Sequence, residues 1–238
     1  MLFYNIGDGY TSGCCTSNLY HLADEDPKYF GMHNVEHPDN REGSFVSHLA
    51  ELYKARSIVV GHHRLTLEEM LDTIENYERQ ILEQQDQTIA FVGIPNLYST
   101  YLKNKQTFEL DFGPVSCDID PFLNKYLLLD GKDNIGWLEK DQEATYNMMC
   151  DKKEQVIDLN GKVDLLQMFL ERISTITKKI ILFRTTHYEN LNLDLPKNVE
   201  FLDESIVDIL SENHKPYRRQ YFDADAYKSL KGSFLKLL

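Results

Sequence analysis

The chain has 238 residues, enough for one large α/β domain with an ordinary buried core. Its 38 acidic and 25 basic residues give a formal charge of −13, which argues against a broad nucleic-acid footprint, because phosphate binding relies on clustered Lys and Arg. No apolar run approaches the roughly eighteen residues of a membrane span, and Met1 to Ile6 is too short and lacks the basic start of a signal peptide. A cytoplasmic location, in a cell or a virus-infected cell, is therefore expected.

Leu2 to Ile6 reads as a short buried strand, and the Gly7-Asp8-Gly9 that follows supplies turn chemistry at its end. From Cys14 to Glu42 the pattern is irregular and reads as a long surface loop. Ser44 to Ala55 places Phe45, Val46, Leu49, Leu52 and Tyr53 on one helical face, and Ser57 to Val60 is a short β-branched strand ending at Gly61. Thr66 with Glu69 forms a capping box, with Leu65 and Met70 at staple positions, so a helix is predicted from there to about Gln85. Thr88 to Ile94 is uniformly apolar, as expected of a central strand covered on both faces.

Residues 97–160 break the rhythm. Helical patterns around Pro121 to Leu129 and Gly136 to Cys150 suggest a helical insertion there. The alternation then resumes with a helix at Lys162 to Thr177, strands at Lys179 to Phe183 and Val199 to Leu202, and a helix at Ala224 to Leu238 with Asp223 as N-cap. There is no internal repeat and no low-complexity segment. This order predicts a single α/β domain over 1–238, a three-layer flavodoxin-like fold with a five-stranded, mainly parallel sheet and helices on both faces.

In such sheets ligands bind beyond the carboxyl ends of the strands, where the strand order reverses. The residues that matter should follow each strand: Gly7 to Gly13, then Gly61, His62, His63 and Arg64, then Pro95 and Asn96, then Arg184, Thr185 and His187. His214, Arg218 and Arg219 precede the last helix; with Lys215 these arginines read as a solvated loop patch. The four cysteines, Cys14, Cys15, Cys117 and Cys150, show no paired metal-ligand spacing, and adjacent Cys14 and Cys15 make a poor disulfide.

This arrangement resembles the SGNH or GDSL hydrolases. Their first block reads G-D-S-x-T-x-G at the end of the first strand, where this chain has GDGYTSG over Gly7 to Gly13. Gly61 matches the second-block glycine, Asn96 falls one place late for the third block, G-x-N-D, and the fourth-block D-x-x-H has no clean match. The resemblance implies an ester or acetyl hydrolase in which a block-one serine attacks, a block-four histidine takes its proton, and backbone amides with an asparagine hold the oxyanion.

Gly9 stands where that serine would be, and a glycine has no side chain to attack with. The replacements open to the chain are Thr11 or Ser12, Cys14, or a water organised by Asp8, His62 or His63. His214 is the nearest histidine to the missing base. Gly61, His62, His63 and Arg64 form a candidate ligand group, since they sit before a helix N-terminus that attracts anions. Asp8 has a second reading as a turn fastener, accepting backbone N–H groups. No metal and no cofactor is expected. Two functions remain: a hydrolase with a non-standard nucleophile or activated water near residues 8–14, or a scaffold without its triad that serves as a binding or structural subunit for a small molecule or a protein.

Overall fold

The computed structural model describes residues 1–8, 11, 13, 43–61, 65, 67–95, 97, 100–101, 114–115, 117–120, 125–128, 159–185, 191–202, 204–214, 222 and 224–238. In chain order the elements are β1 (Leu2–Gly7), α1 (Phe45–Tyr53), β2 (Arg56–Gly61), α2 (Leu67–Leu82), a 3-10 turn (Gln85–Gln87) and β3 (Thr88–Ile94). Four short strands follow, β4 (Thr100–Tyr101), β5 (Pro114–Val115), β6 (Cys117–Asp120) and β7 (Lys125–Leu128). The chain closes with α3 (Leu159–Ile176), β8 (Lys179–Arg184), β9 (Val199–Leu202), α4 (Ile206–Asn213) and α5 (Ala224–Leu235).

Five strands form one sheet in the order β2-β1-β3-β8-β9, and every pairing in it is parallel. The order runs outward in one direction from β1 to β2 and in the other from β1 through β3 to β9. The order reverses between β1 and β3, and in sheets of this kind ligands bind beyond the carboxyl ends at that point. This is the flavodoxin-like, three-layer α/β arrangement that the element order predicts.

Because side chains alternate along a strand, a sheet covered on both faces needs apolar residues at every position. The three central strands meet this demand at most positions, with Asn5 of β1 and Thr88 of β3 as buried polar exceptions. Tyr4, Ile6, Ala90, Val92, Ile94, Ile180 and Leu182 point to one face, where Met70, Ile74 and Ile81 of α2 and Leu166, Phe169, Leu170 and Ile173 of α3 cover them. Phe3, Ile89, Phe91, Ile181 and Phe183 point to the other, under Phe45, Val46 and Leu49 of α1, Ile206 and Leu210 of α4, and Tyr227, Leu230 and Phe234 of α5.

The helix ends are fixed by local chemistry. Ser44 caps α1 by accepting the Ser47 N–H at 3.1 Å, and Lys54, in the left-handed region at φ 48°, closes it by donating its N–H to Ala50 O and Glu51 O. Glu68 and Glu69 in the first turn of α2 face the positive end of its dipole. Thr66 lies outside the described residues, but both members of the expected staple, Leu65 and Met70, are buried in one cluster. Across α2 and α3, Arg172 donates to Glu75 at 3.1 Å and to Glu78 at 3.0 Å, and Lys162 pairs with Glu68.

The stretch expected to be a helical insertion, which carries the short strands β4 to β7, and helix α4 depart from the expectation. Lys125–Leu128, inside the helix expected at Pro121 to Leu129, is a strand paired antiparallel with Cys117–Asp120. Short apolar runs such as this satisfy either period, and here the pairing with Cys117–Asp120 decides. The other expected helix, Gly136 to Cys150, lies outside the described residues. Helix α4 was not expected at all. Its sequence signal is Ser205-x-x-Asp208: Ser205 Oγ accepts the Asp208 N–H at 3.0 Å and lies 2.6 Å from Asp208 Oδ2.

Candidate functional site at the strand ends

The site is built from glycines. On the α1/α5 face, Asn5, Phe91 and Ile181 form one row across the sheet, and the next positions toward the carboxyl ends on that face are Gly7, Gly93 and Phe183, with Thr185 two residues beyond Phe183. Gly7 lies beside Gly61 of β2 in register. A Cβ on Gly7 would fall 2.4 Å from Thr11 Oγ1, and one on Gly93 would fall 1.9 Å from the same atom and 3.0 Å from Phe183 Cε2. The two glycines therefore leave a notch beside Phe183, and the Thr11 side chain fills it. Thr11 is fully buried.

The turn that carries Thr11 back over the strand is held by Asp8. Its Oδ1 accepts the Thr11 N–H at 3.2 Å and the Thr11 hydroxyl at 3.3 Å. Its Oδ2 accepts from the Thr185 hydroxyl at 2.9 Å. From below, Asn5 Nδ2 donates to Thr11 O at 2.9 Å. Gly13 sits at φ 77°, a conformation that favours glycine over residues with a Cβ. Asp8 is only 8% exposed, so its carboxylate depends on protein donors, these among them, rather than on water.

Thr185 ties the turn to the rest of the crevice. Its hydroxyl also lies 2.9 Å from Ile94 O at the end of β3, and its carbonyl accepts the Val207 N–H at 3.2 Å in the first turn of α4. Next to it, buried Arg184 places its guanidinium 5.1 Å from the centre of the Phe201 ring of β9.

Of the residues singled out in the sequence, Asp8 and Gly61 are at the carboxyl ends of adjacent strands, as expected. His214 is the C-cap of α4, its N–H donating to Leu210 O, and among the described residues its side chain makes no hydrogen bond or ion pair. Gly9, Ser12, Cys14, Asn96, His62, His63 and Arg64 lie outside the described residues. Thr11, one of the replacement nucleophiles considered, is instead the buried plug of the notch. The sequence left Asn5 and Thr185 without roles. Asn5 did carry a signal, as the one amide in the apolar run Leu2 to Ile6, where a buried polar group must find a partner. Thr185 carried none beyond its place after a strand.

Among the described residues, no group of three or more His, Cys, Asp or Glu is placed to hold a metal ion, and no helix is long and apolar enough to cross a membrane.

No family model and no curated protein matches the chain. Among solved structures, the chain is similar to a catalytic mutant of Axe2, an acetylxylan esterase from Geobacillus stearothermophilus. The match covers 99% of this chain and 91% of that one, at 14% identity and a TM-score of 0.43.

Proposed function

We propose that the protein keeps an SGNH-hydrolase-like scaffold without its serine triad, and that it works as a binding or structural subunit whose contact surface is the turn over the strand ends. One observation carries this reading. Both carboxylate oxygens of Asp8 and the hydroxyl of Thr11 are engaged in holding the turn, while Gly9, where the resembling family has its nucleophile, offers no reacting atom. A turn fastener of this kind outlives catalysis, because the fold needs it whether or not a serine follows.

The absence of a D-x-x-H segment before α5 supports the same reading, since a nucleophile without a base loses most of its catalysed rate. The test is hydrolysis of short-chain p-nitrophenyl esters by the purified full chain. No turnover above the buffer rate is expected, and Gly9→Ser is expected to stay inactive because the base is missing as well. Turnover by the natural chain that disappears in Ser12→Ala or Cys14→Ala would establish a hydrolase with a relocated nucleophile instead.

A further inference from the structure

Among the described residues, the Thr185 hydroxyl joins Asp8, at the start of the turn after β1, to the ends of β3 and β8. Thr185 Oγ1 is 2.9 Å from Asp8 Oδ2 and 2.9 Å from Ile94 O, and both of those atoms are acceptors. The hydroxyl has one proton, so this donor is shared between a carboxylate at the end of β1 and a carbonyl at the end of β3. Through its own carbonyl Thr185 also receives the Val207 N–H, which fixes the start of α4 to the same point.

We propose that Thr185 is a positioning residue of the switch-point site: its hydroxyl sets the carboxylate of Asp8, and Asp8 in turn sets the turn that bears the contact surface. The proposal rests on the reading that this turn is the binding surface. The chain of contacts is short and continuous. Thr185 holds Asp8 Oδ2, Asp8 Oδ1 holds the N–H and hydroxyl of Thr11, and Thr11 fills the notch over Gly7 and Gly93. Without the hydroxyl, the carboxylate and the Ile94 carbonyl are left without the donor between them. Two acceptors so placed repel, and the carboxylate loses the donor that ties it to the ends of β3 and β8.

Three variants of the full chain separate this role from simple packing. Thr185→Val keeps size and β-branching but deletes the donor, Thr185→Ser keeps the donor, and Asp8→Asn marks the loss of the carboxylate. Amide exchange of Thr11, followed by NMR, is expected to speed up about tenfold or more in Thr185→Val, as for a lost hydrogen bond to a charged group. Thr185→Ser should stay within about twofold of the natural chain. Wild-type exchange and an unchanged Thr11 amide shift in a folded Thr185→Val, alongside faster exchange in Asp8→Asn, would overturn the proposal.

Should Thr185→Val not fold, the natural chain decides. A slowly exchanging Thr185 hydroxyl proton is expected, and one that exchanges as fast as an exposed threonine overturns it. These readouts need no ligand, so they stand or fall apart from the functional reading, which fails by its own test of ester turnover.

Discussion

The two faces of the central sheet are packed with different chemistry. On the α2/α3 face the contacts are mostly aliphatic, and they continue up to the strand ends, where Ile6, Val92 and Ile94 meet Leu65 and Leu97. On the α1/α5 face the contacts are aromatic: Phe45 stacks on Phe234 with ring centres 4.4 Å apart, and both meet Phe91 and Phe183 edge-on. In the row where β8 carries Phe183, β1 and β3 carry only Gly7 and Gly93, and a threonine from the turn after β1 fills the space. One face thus ends in ordinary core, and the other ends in a built seat for a turn. That asymmetry sets the α1/α5 side of the strand ends apart from the α2/α3 side.

The largest effect is expected on the aromatic face. Phe45→Ala removes a ring that meets three others and leaves a cavity that the stiff neighbours cannot close, at a cost of about 3–5 kcal/mol in urea unfolding. A loss below about 1 kcal/mol would mean that the face repacks, and the contrast between the faces would lose its point. Next is Gly93→Ala. Its methyl group would overlap Thr11, which is short, branched and held from three sides, so a loss of about 1–3 kcal/mol is expected together with displacement of the Thr11 amide resonance.

On the aliphatic face the sign reverses. Among the described residues the buried Tyr4 hydroxyl has no hydrogen-bond partner, and burial, with Tyr77 nearby, holds its pKa far above the ordinary phenol value. Tyr4→Phe keeps the ring and removes the orphaned group, so a gain of about 1 kcal/mol is expected. An equal loss would show that a donor or acceptor reaches this hydroxyl after all.

The smallest effect concerns His48 of α1. Burial pulls its pKa below 6.5, Lys228 and Lys231 of α5 add to this, and Glu51 opposes it. The folded chain therefore binds fewer protons at this site than the unfolded chain. Its contribution is complete above about pH 6.5 and is lost as pH falls from there through the lower folded value. His48→Gln should flatten the acid side of the stability profile. An unchanged slope would remove His48 as its source.

Much of this architecture can be read from the sequence, for physical reasons. Thr88–Ile94 is recognisable as a central strand because a doubly covered strand must be apolar throughout, and the helices α1, α2, α3 and α5 show their buried stripes. Helix α4 escapes notice because eight residues give little periodicity, and its cap is the better signal. The strand Lys125–Leu128 reads equally well as helix until its partner is known. At the site, Asp8 is legible because its place after β1 is a matter of local turn chemistry. Thr185 is not, because its meaning depends on a residue 177 positions away in the chain. The pairing of Gly93 with Thr11 is likewise a fact of sheet order rather than of any local pattern.

The central claim is that the turn at residues 8–13 is held by Asp8 for structure and carries no nucleophile. Incubation of the natural chain with p-nitrophenyl acetate, followed by peptide mapping, tests it most directly. The expected result is no acetyl group on residues 8–14. Stoichiometric acetylation of Ser12 or Cys14, released again on standing, would contradict it and restore covalent catalysis to this site.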